Sequence, residues 1–187
     1  MQEDSRPKKP IERSGFPMLI NRMKSSLVCA LLLFLGMTAA ATAKDLGFPK
    51  DMPAISIAKP EGWKSRREEG RLYVTTEDDK SVIVEVSALK TSKQQGAKAL
   101  AEMKASVQDA FKNVEFEPMQ EGGSNNVGLY ILNGKGEDEQ GKANLNAVMV
   151  TNGDDDKLFM VFIAATPKGS KAFGEDIAAI LASIRKL

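Results

Sequence analysis

The stretch KLFMVFIAA, residues 157–165, decides the fold. With a period of two, Phe159, Val161 and Ile163 point to one side, and Met160 and Phe162 to the other. A strand that is apolar on both faces must be covered on both. The stretch therefore predicts a central strand with a helix packed on one side of its sheet. Thr166-Pro167 ends it. On its other side, Asn152-Gly153-Asp154-Asp155-Asp156 turns it back to ANLNAVMVT, residues 143–151, the second long strand.

Working outward, KDLGFPKDMP (44–53) holds two prolines and a glycine and reads as an arm. Ile55 and Ile57 mark a half-buried strand that Pro60 and Gly62 close. Trp63 to Arg67 forms a short strand, Glu68-Glu69-Gly70 a hairpin tip and RLYVTTE (71–77) the next strand. Asp78-Asp79-Lys80 turns into SVIVEVSAL (81–89), with Val82, Val84 and Val86 on one face. The period then changes. Ser92 and Gln95 suggest a capping box, and Leu100, Met103, Val107, Ala110 and Phe111 recur at helical spacing to about Lys112. VEFEPM (114–119) and VGLYILN (127–133) read as strands, with Gly128 allowing a bulge or a close approach. EGGSNN (121–126) and GKGEDEQGK (134–142) read as loops. A closing helix is predicted from about Lys171 to Arg185 on Phe173, Ile177, Ile180, Leu181 and Ile184. The order implies an α+β fold: an antiparallel sheet of about seven or eight strands with two main helices packed on it.

The N-terminal part has a different character. Met23 and Lys24 precede an apolar core, Leu27 to Met37, within the ~7–15 residues of a signal peptide and short of the ~20 of a membrane span. Ala41-Thr42-Ala43 fits a cleavage site, so a cut between Ala43 and Lys44 is expected. Residues 1–22 are polar and read as an over-long start or an n-region, with Met1, Met18 and Met23 as candidate starts. The expected organisation is 1–22, a signal helix over 23–43 outside the domain, and one domain over 44–187. Localisation is expected to be periplasmic or secreted in a bacterium, with no stable membrane anchor after cleavage.

Composition excludes several chemistries. The chain has no histidine, and its one cysteine, Cys29, lies in the leader core rather than just past it, where a lipid-carrying cysteine would stand. Residues 44–187 therefore offer no disulfide, no Ser-His-Asp triad and no Cys-His pair. Zinc, copper(II) and iron sites lose their usual ligands. The same residues carry 20 Lys/Arg and 22 Asp/Glu, so no strong field draws them to nucleic acid.

The segment Ile57-Ala58-Lys59-Pro60-Glu61-Gly62-Trp63 near the mature start and Ile180-Leu181-Ala182-Ser183-Ile184 near the end resemble the PsbP-like group. The group is named after an extrinsic photosystem II subunit. The resemblance implies an α/β/α sandwich and a binding or assembly-helper module rather than a catalyst. No cofactor is expected, and the partner is an envelope protein or a small ligand.

Candidate binding residues are the aromatic rings Trp63, Tyr73 and Tyr130, with Arg66 and Arg67 as anion-binding neighbours. The competing reading places Trp63 in the core and the arginines on an exposed hairpin. Asp154, Asp155 and Asp156 form a weak calcium candidate without EF-hand spacing. Met149 and Met160 read as core fillers rather than a Cu(I) pair. The alternative functions are a carboxylate-dependent envelope hydrolase and a weak calcium-binding module. No catalytic residue is assigned.

Overall fold

The computed structural model describes residues 43–151 and 157–187. In chain order these form β1 (Lys44–Phe48), β2 (Ile55–Lys59), β3 (Lys64–Glu68), β4 (Arg71–Thr75), β5 (Val82–Ala88) and α1 (Gly96–Ala110). There follow β6 (Lys112–Phe116), β7 (Gln120–Ser124), β8 (Val127–Asp138), β9 (Gly141–Thr151) and β10 (Leu158–Ala165). The chain closes with α2 (Pro167–Ala172), α3 (Gly174–Ser183) and β11 (Arg185–Lys186). The main sheet has the order β3-β4-β5-β10-β9-β8-β6, with β7 also paired to β8, and the pairings are antiparallel. Strand β10 lies in the middle, with Val161 opposite Val86 on one side and Val148 on the other.

The two-sided pattern of β10 is satisfied by two separate cores. Phe159, Val161, Ile163 and Ala165 join a cluster with Val82, Val84, Val86, Ile180 and Ile184, closed by Phe48, Ile55 and Ile57 of a small sheet ordered β1-β2-β11. Phe48 meets Phe159 edge to face at 6.0 Å. Leu158, Met160 and Phe162 face the opposite way, against Ala99, Met103 and Val107 of α1. Each such fully buried side chain contributes about 1.5–3 kcal/mol of transfer free energy. The result is the expected sandwich, with α1 on one face of an eight-stranded sheet and α3 with the small sheet on the other.

Several local expectations are corrected. Residues 44–48 of the expected arm are β1, paired with β2 from Lys44–Lys59 to Phe48–Ile55, and the Phe48–Pro49 peptide is cis. A cut after Ala43 would leave this strand whole. EGGSNN is not a loop: β7 pairs with β8 through a turn at Asn125 and Asn126, both at positive φ (51° and 65°), as the tightest hairpin turns require. GKGEDEQGK is also mostly strand, since β8 runs to Asp138, which pairs with Gly141. Its glycines are close-packing positions. A Cβ at Gly134 would lie 2.7 Å from the Glu115 oxygen, and one at Gly136 3.1 Å from Phe111 Cβ. Gly128 likewise makes room for Thr151 Oγ1, 2.7 Å from where its Cβ would stand.

The helix ends differ as well. No side-chain cap bond forms at Ser92; a short 3-10 turn over Lys93–Gln95 leads into α1, which ends at Ala110 with Phe111 extended. The closing helix is two, α2 and α3, followed by the strand pair β11–β2, and Ile184 is extended rather than helical. Thr166 caps α2, accepting from Gly169 N at 2.9 Å. Gly169 itself sits against the Ser81 carbonyl, where a Cβ would collide.

That contact makes Gly169→Ala an overpacking change, expected to cost about 2 kcal/mol in urea unfolding. Gly174→Ala, at the open first position of α3, should be neutral or slightly stabilising. Equal effects at the two sites would contradict the packing described for α2.

Candidate functional site

The five candidate binding residues do not converge. Trp63 is 6% exposed, stands edge-on to Phe173 at 5.8 Å and donates its indole N–H to Asp176 Oδ2 at 3.3 Å. It closes one end of the core, as the competing reading held. Arg67 donates from Nη2 to the Gly47 carbonyl at 2.6 Å, tying β3 to the small sheet. Arg66 and its cross-strand partner Tyr73 do meet: the guanidinium lies 4.7 Å from the ring centre, with Nε 3.1 Å from Glu68 Oε1. Tyr130 is on β8, on the far side of β10 from β4.

A site appears where α1 fails to cover the sheet. Its buried stripe, Ala99, Met103 and Val107, packs over the half of the sheet containing β8, β9 and β10. Along its other flank runs an open groove of about 1090 Å³. Arg71, Glu85 and Ser87 line the sheet side, Lys98, Ala101, Glu102 and Ala105 the helix side, and Met160 and Phe162 the floor. Small side chains at Ala101 and Ala105, one turn apart, keep the helix wall low.

Two of the acids lining this groove, Glu85 and Glu102, are engaged. Arg71 Nη1 lies 3.1 Å from Glu85 Oε1, and the Glu85 charge holds the guanidinium above its ordinary value against a smaller opposing effect of burial. Glu102 accepts from the Lys90 backbone N–H at 2.9 Å and from the hydroxyl of buried Thr91. Burial pushes the Glu102 carboxyl upward. The bonds from Thr91 and from the Lys90 and Thr91 amides outweigh it and hold the group below the usual glutamate range.

Other acidic tips are turn formers. Asp78 accepts from Thr76, from the Ser81 hydroxyl and from the amides of Lys80 and Ser81, and these bonds, that of the Ser81 hydroxyl first, push its carboxyl far down. Asp79 accepts from Lys64 and Thr75, both at 2.7 Å. Among the described residues no group of three or more His, Cys, Asp or Glu is placed to hold a metal ion. The calcium candidate Asp154, Asp155 and Asp156 and the leader to residue 42 lie outside the described residues, while Ala43 is exposed and Lys44 opens β1.

Across the α1 stripe from the groove is a smaller cavity of about 230 Å³, bounded by Leu100, Met119, Tyr130, Met149, Thr151 and Leu158, with Gly96 and Ala97 of the helix start. Met149 is paired with Met160 across the strands and both are buried. Sequence reasoning missed groove and cavity alike. The usable signals were the small residues Ala97, Ala101 and Ala105 spaced by four, and the polar alternation Arg71, Tyr73, Glu85, Ser87 on two strands otherwise rich in buried valine.

The fold is PsbP-like. The chain is similar to the solution structure of cyanobacterial PsbP (CyanoP) from Synechocystis sp. PCC 6803, with TM-score 0.59, 14% identity, 82% of this chain and 99% of that one covered. It is also similar to the crystal structure of LpqN, described as involved in cell envelope biogenesis of Mycobacterium tuberculosis, with TM-score 0.55, 11% identity, 78% of this chain and 91% of that one covered. No protein-family model matches the sequence, and no curated protein matches it.

The Glu102 geometry gives a signed pH expectation. A carboxyl lowered on folding contributes stability above its unfolded pKa, and that contribution is lost as pH falls through the folded value. Thr91→Val removes one donor, so the Glu102 carboxyl, followed by NMR, should titrate at higher pH in the variant than in the parent. An unchanged titration would show that the Thr91 hydroxyl does not hold it.

Proposed function

We propose that the chain is an exported, non-enzymatic binding module of the bacterial cell envelope, and that the groove between α1 and the bare half of the sheet receives a protein partner. The observation that carries this reading is the state of the two acids that flank the groove floor, Glu85 on the sheet and Glu102 on the helix. Glu85 is paired with Arg71, and Glu102 is fixed as an anion by Thr91 and a backbone amide. A carboxylate-dependent hydrolase needs one acid raised in pKa to deliver a proton to the leaving group. Glu102 is shifted the other way, which favours binding over the hydrolase alternative.

The fold adds weaker support. LpqN, with a similar fold, is described as acting in cell envelope biogenesis, and the signal-peptide pattern over residues 23–43 agrees with export. The partner would meet a surface of mixed charge, with Arg71, Lys98 and Asp109 around an apolar floor. Such a rim sets orientation and encounter rate, while the floor supplies the burial.

A photo-crosslinking residue at Ala105, with a control at exposed Glu61, tests the proposal in the cells that make the protein. The expected result is one discrete envelope-protein adduct from position 105, absent from position 61 and reduced several-fold by the double variant Arg71→Glu, Lys98→Glu. Equal adducts at both positions, or hydrolytic turnover abolished by Glu102→Gln, would overturn it.

A further inference from the structure

The side of α1 that faces the groove carries Lys98, Ala101, Glu102, Ala105 and Asp109, at spacings that keep them on one flank of the helix. The charges at its two ends stand at the wrong ends of their own helix. Lys98 lies in the first turn, which has no acidic residue, and Asp109 in the last, which has no basic one. A helix carries partial positive charge at its start and partial negative charge at its end, so both side chains oppose the dipole they sit on. Nothing nearby offsets this: both are exposed, and neither has an ion pair with a described residue. Glu102, between them, is already held by the Thr91 hydroxyl and the Lys90 amide.

The space beside this flank has the dimensions of a second helix. Gly96 and Leu100 lie by Leu158, and Phe111, just past the helix end, stands 5.8 Å from Phe162, so α1 runs in the direction of β10. Beyond it, β5, β4 and β3 continue the sheet for about 10–14 Å, at ~4.8 Å per strand, against the ~10–12 Å diameter of one helix with its side chains. On that strip Ile83 and Tyr73 are half-buried and share the face of Phe162 and Ala164. The exposed Ala101 and Ala105 allow a neighbouring helix to approach α1 closely.

We propose that the segment received by the groove is an amphipathic α-helix of the partner protein, lying antiparallel to α1, with its C-terminal end beside Lys98 and its N-terminal end beside Asp109. The assignment rests on the groove being the partner surface. The charges that are wrong for α1 are right for an antiparallel neighbour: Lys98 meets the negative end of the incoming dipole and Asp109 the positive end. The two are eleven residues apart, about 16 Å at 1.5 Å per residue, so a helix of about three turns spans them. Apolar residues three and four apart on the incoming helix cover Met160, Phe162 and the alanine wall. A parallel helix meets like charge at both ends, and an extended peptide has no comparable end charges.

Photo-crosslinking from Ala101 and from Ala105 in the full chain, in the cells that make it, tests the assignment when the attached partner residues are located by mass spectrometry. The two positions are about 6 Å apart, which a helix covers in about four residues and a strand in about two. The expected result is that the partner residue joined to position 105 precedes the one joined to position 101 by about four residues. Lys98→Glu removes the conflict with α1's own dipole. It should cut both adducts several-fold while the melting temperature of the purified chain stays level or rises. The reverse order, a spacing of about two, adducts unaffected by Lys98→Glu, or a lower melting temperature in that variant would overturn the antiparallel helix and leave the groove as the partner surface. No adduct at either position would overturn the groove and the helix together.

Discussion

Strand β10 has no face for water. Phe159, Val161 and Ile163 on one side and Leu158, Met160 and Phe162 on the other are all buried, so the sheet around it must be covered twice. One cover is α1. The other is assembled from distant parts of the chain: α3, which follows β10, and β1 and β2, which precede the main sheet, joined through β11. Arg185 reaching Asp45 at 2.6 Å and the Ser183 hydroxyl accepting from Ala58 N at 2.7 Å tie the segment after α3 to β1 and β2 on that side.

The same constraint creates the candidate sites. A helix of 15 residues with a narrow buried stripe covers the middle of one sheet face and no more. On its β5 side the uncovered strands carry Arg71, Tyr73 and Glu85, which solvate that face and line or flank the groove. On its β8 side the cover is incomplete over Tyr130 and Thr151, leaving a small open cavity. Both spaces follow from a mismatch between one helix and a sheet of eight strands.

How far the fold was legible in the sequence depended on whether local pattern and tertiary role agreed. The two-sided apolarity of β10, the alternating valines of β5 and the helical spacing of Met103 and Val107 stated their roles directly. The glycine-rich stretches did not. Gly134 and Gly136 look like loop residues because composition is a local signal, yet they are strand residues whose missing side chains admit Glu115 and Phe111. The arm 44–53 misled for a similar reason: prolines and a glycine surround a five-residue strand that exists because β2 is there to pair with it. The candidate site was less legible still. Conspicuous residues such as Trp63 went to the core, whereas the groove is marked by alanines, whose importance lies in what they leave unfilled.

Amide hydrogen exchange of the native chain tests the central claim most directly. If β10 is the doubly covered centre, the amides of residues 159–164 exchange only through global unfolding and are the slowest in the molecule, orders of magnitude slower than those of the exposed edge strand β3. Exchange of β10 at rates comparable to β3, or protection of β10 lost on its own below the global transition, would contradict the two-sided core on which the account rests.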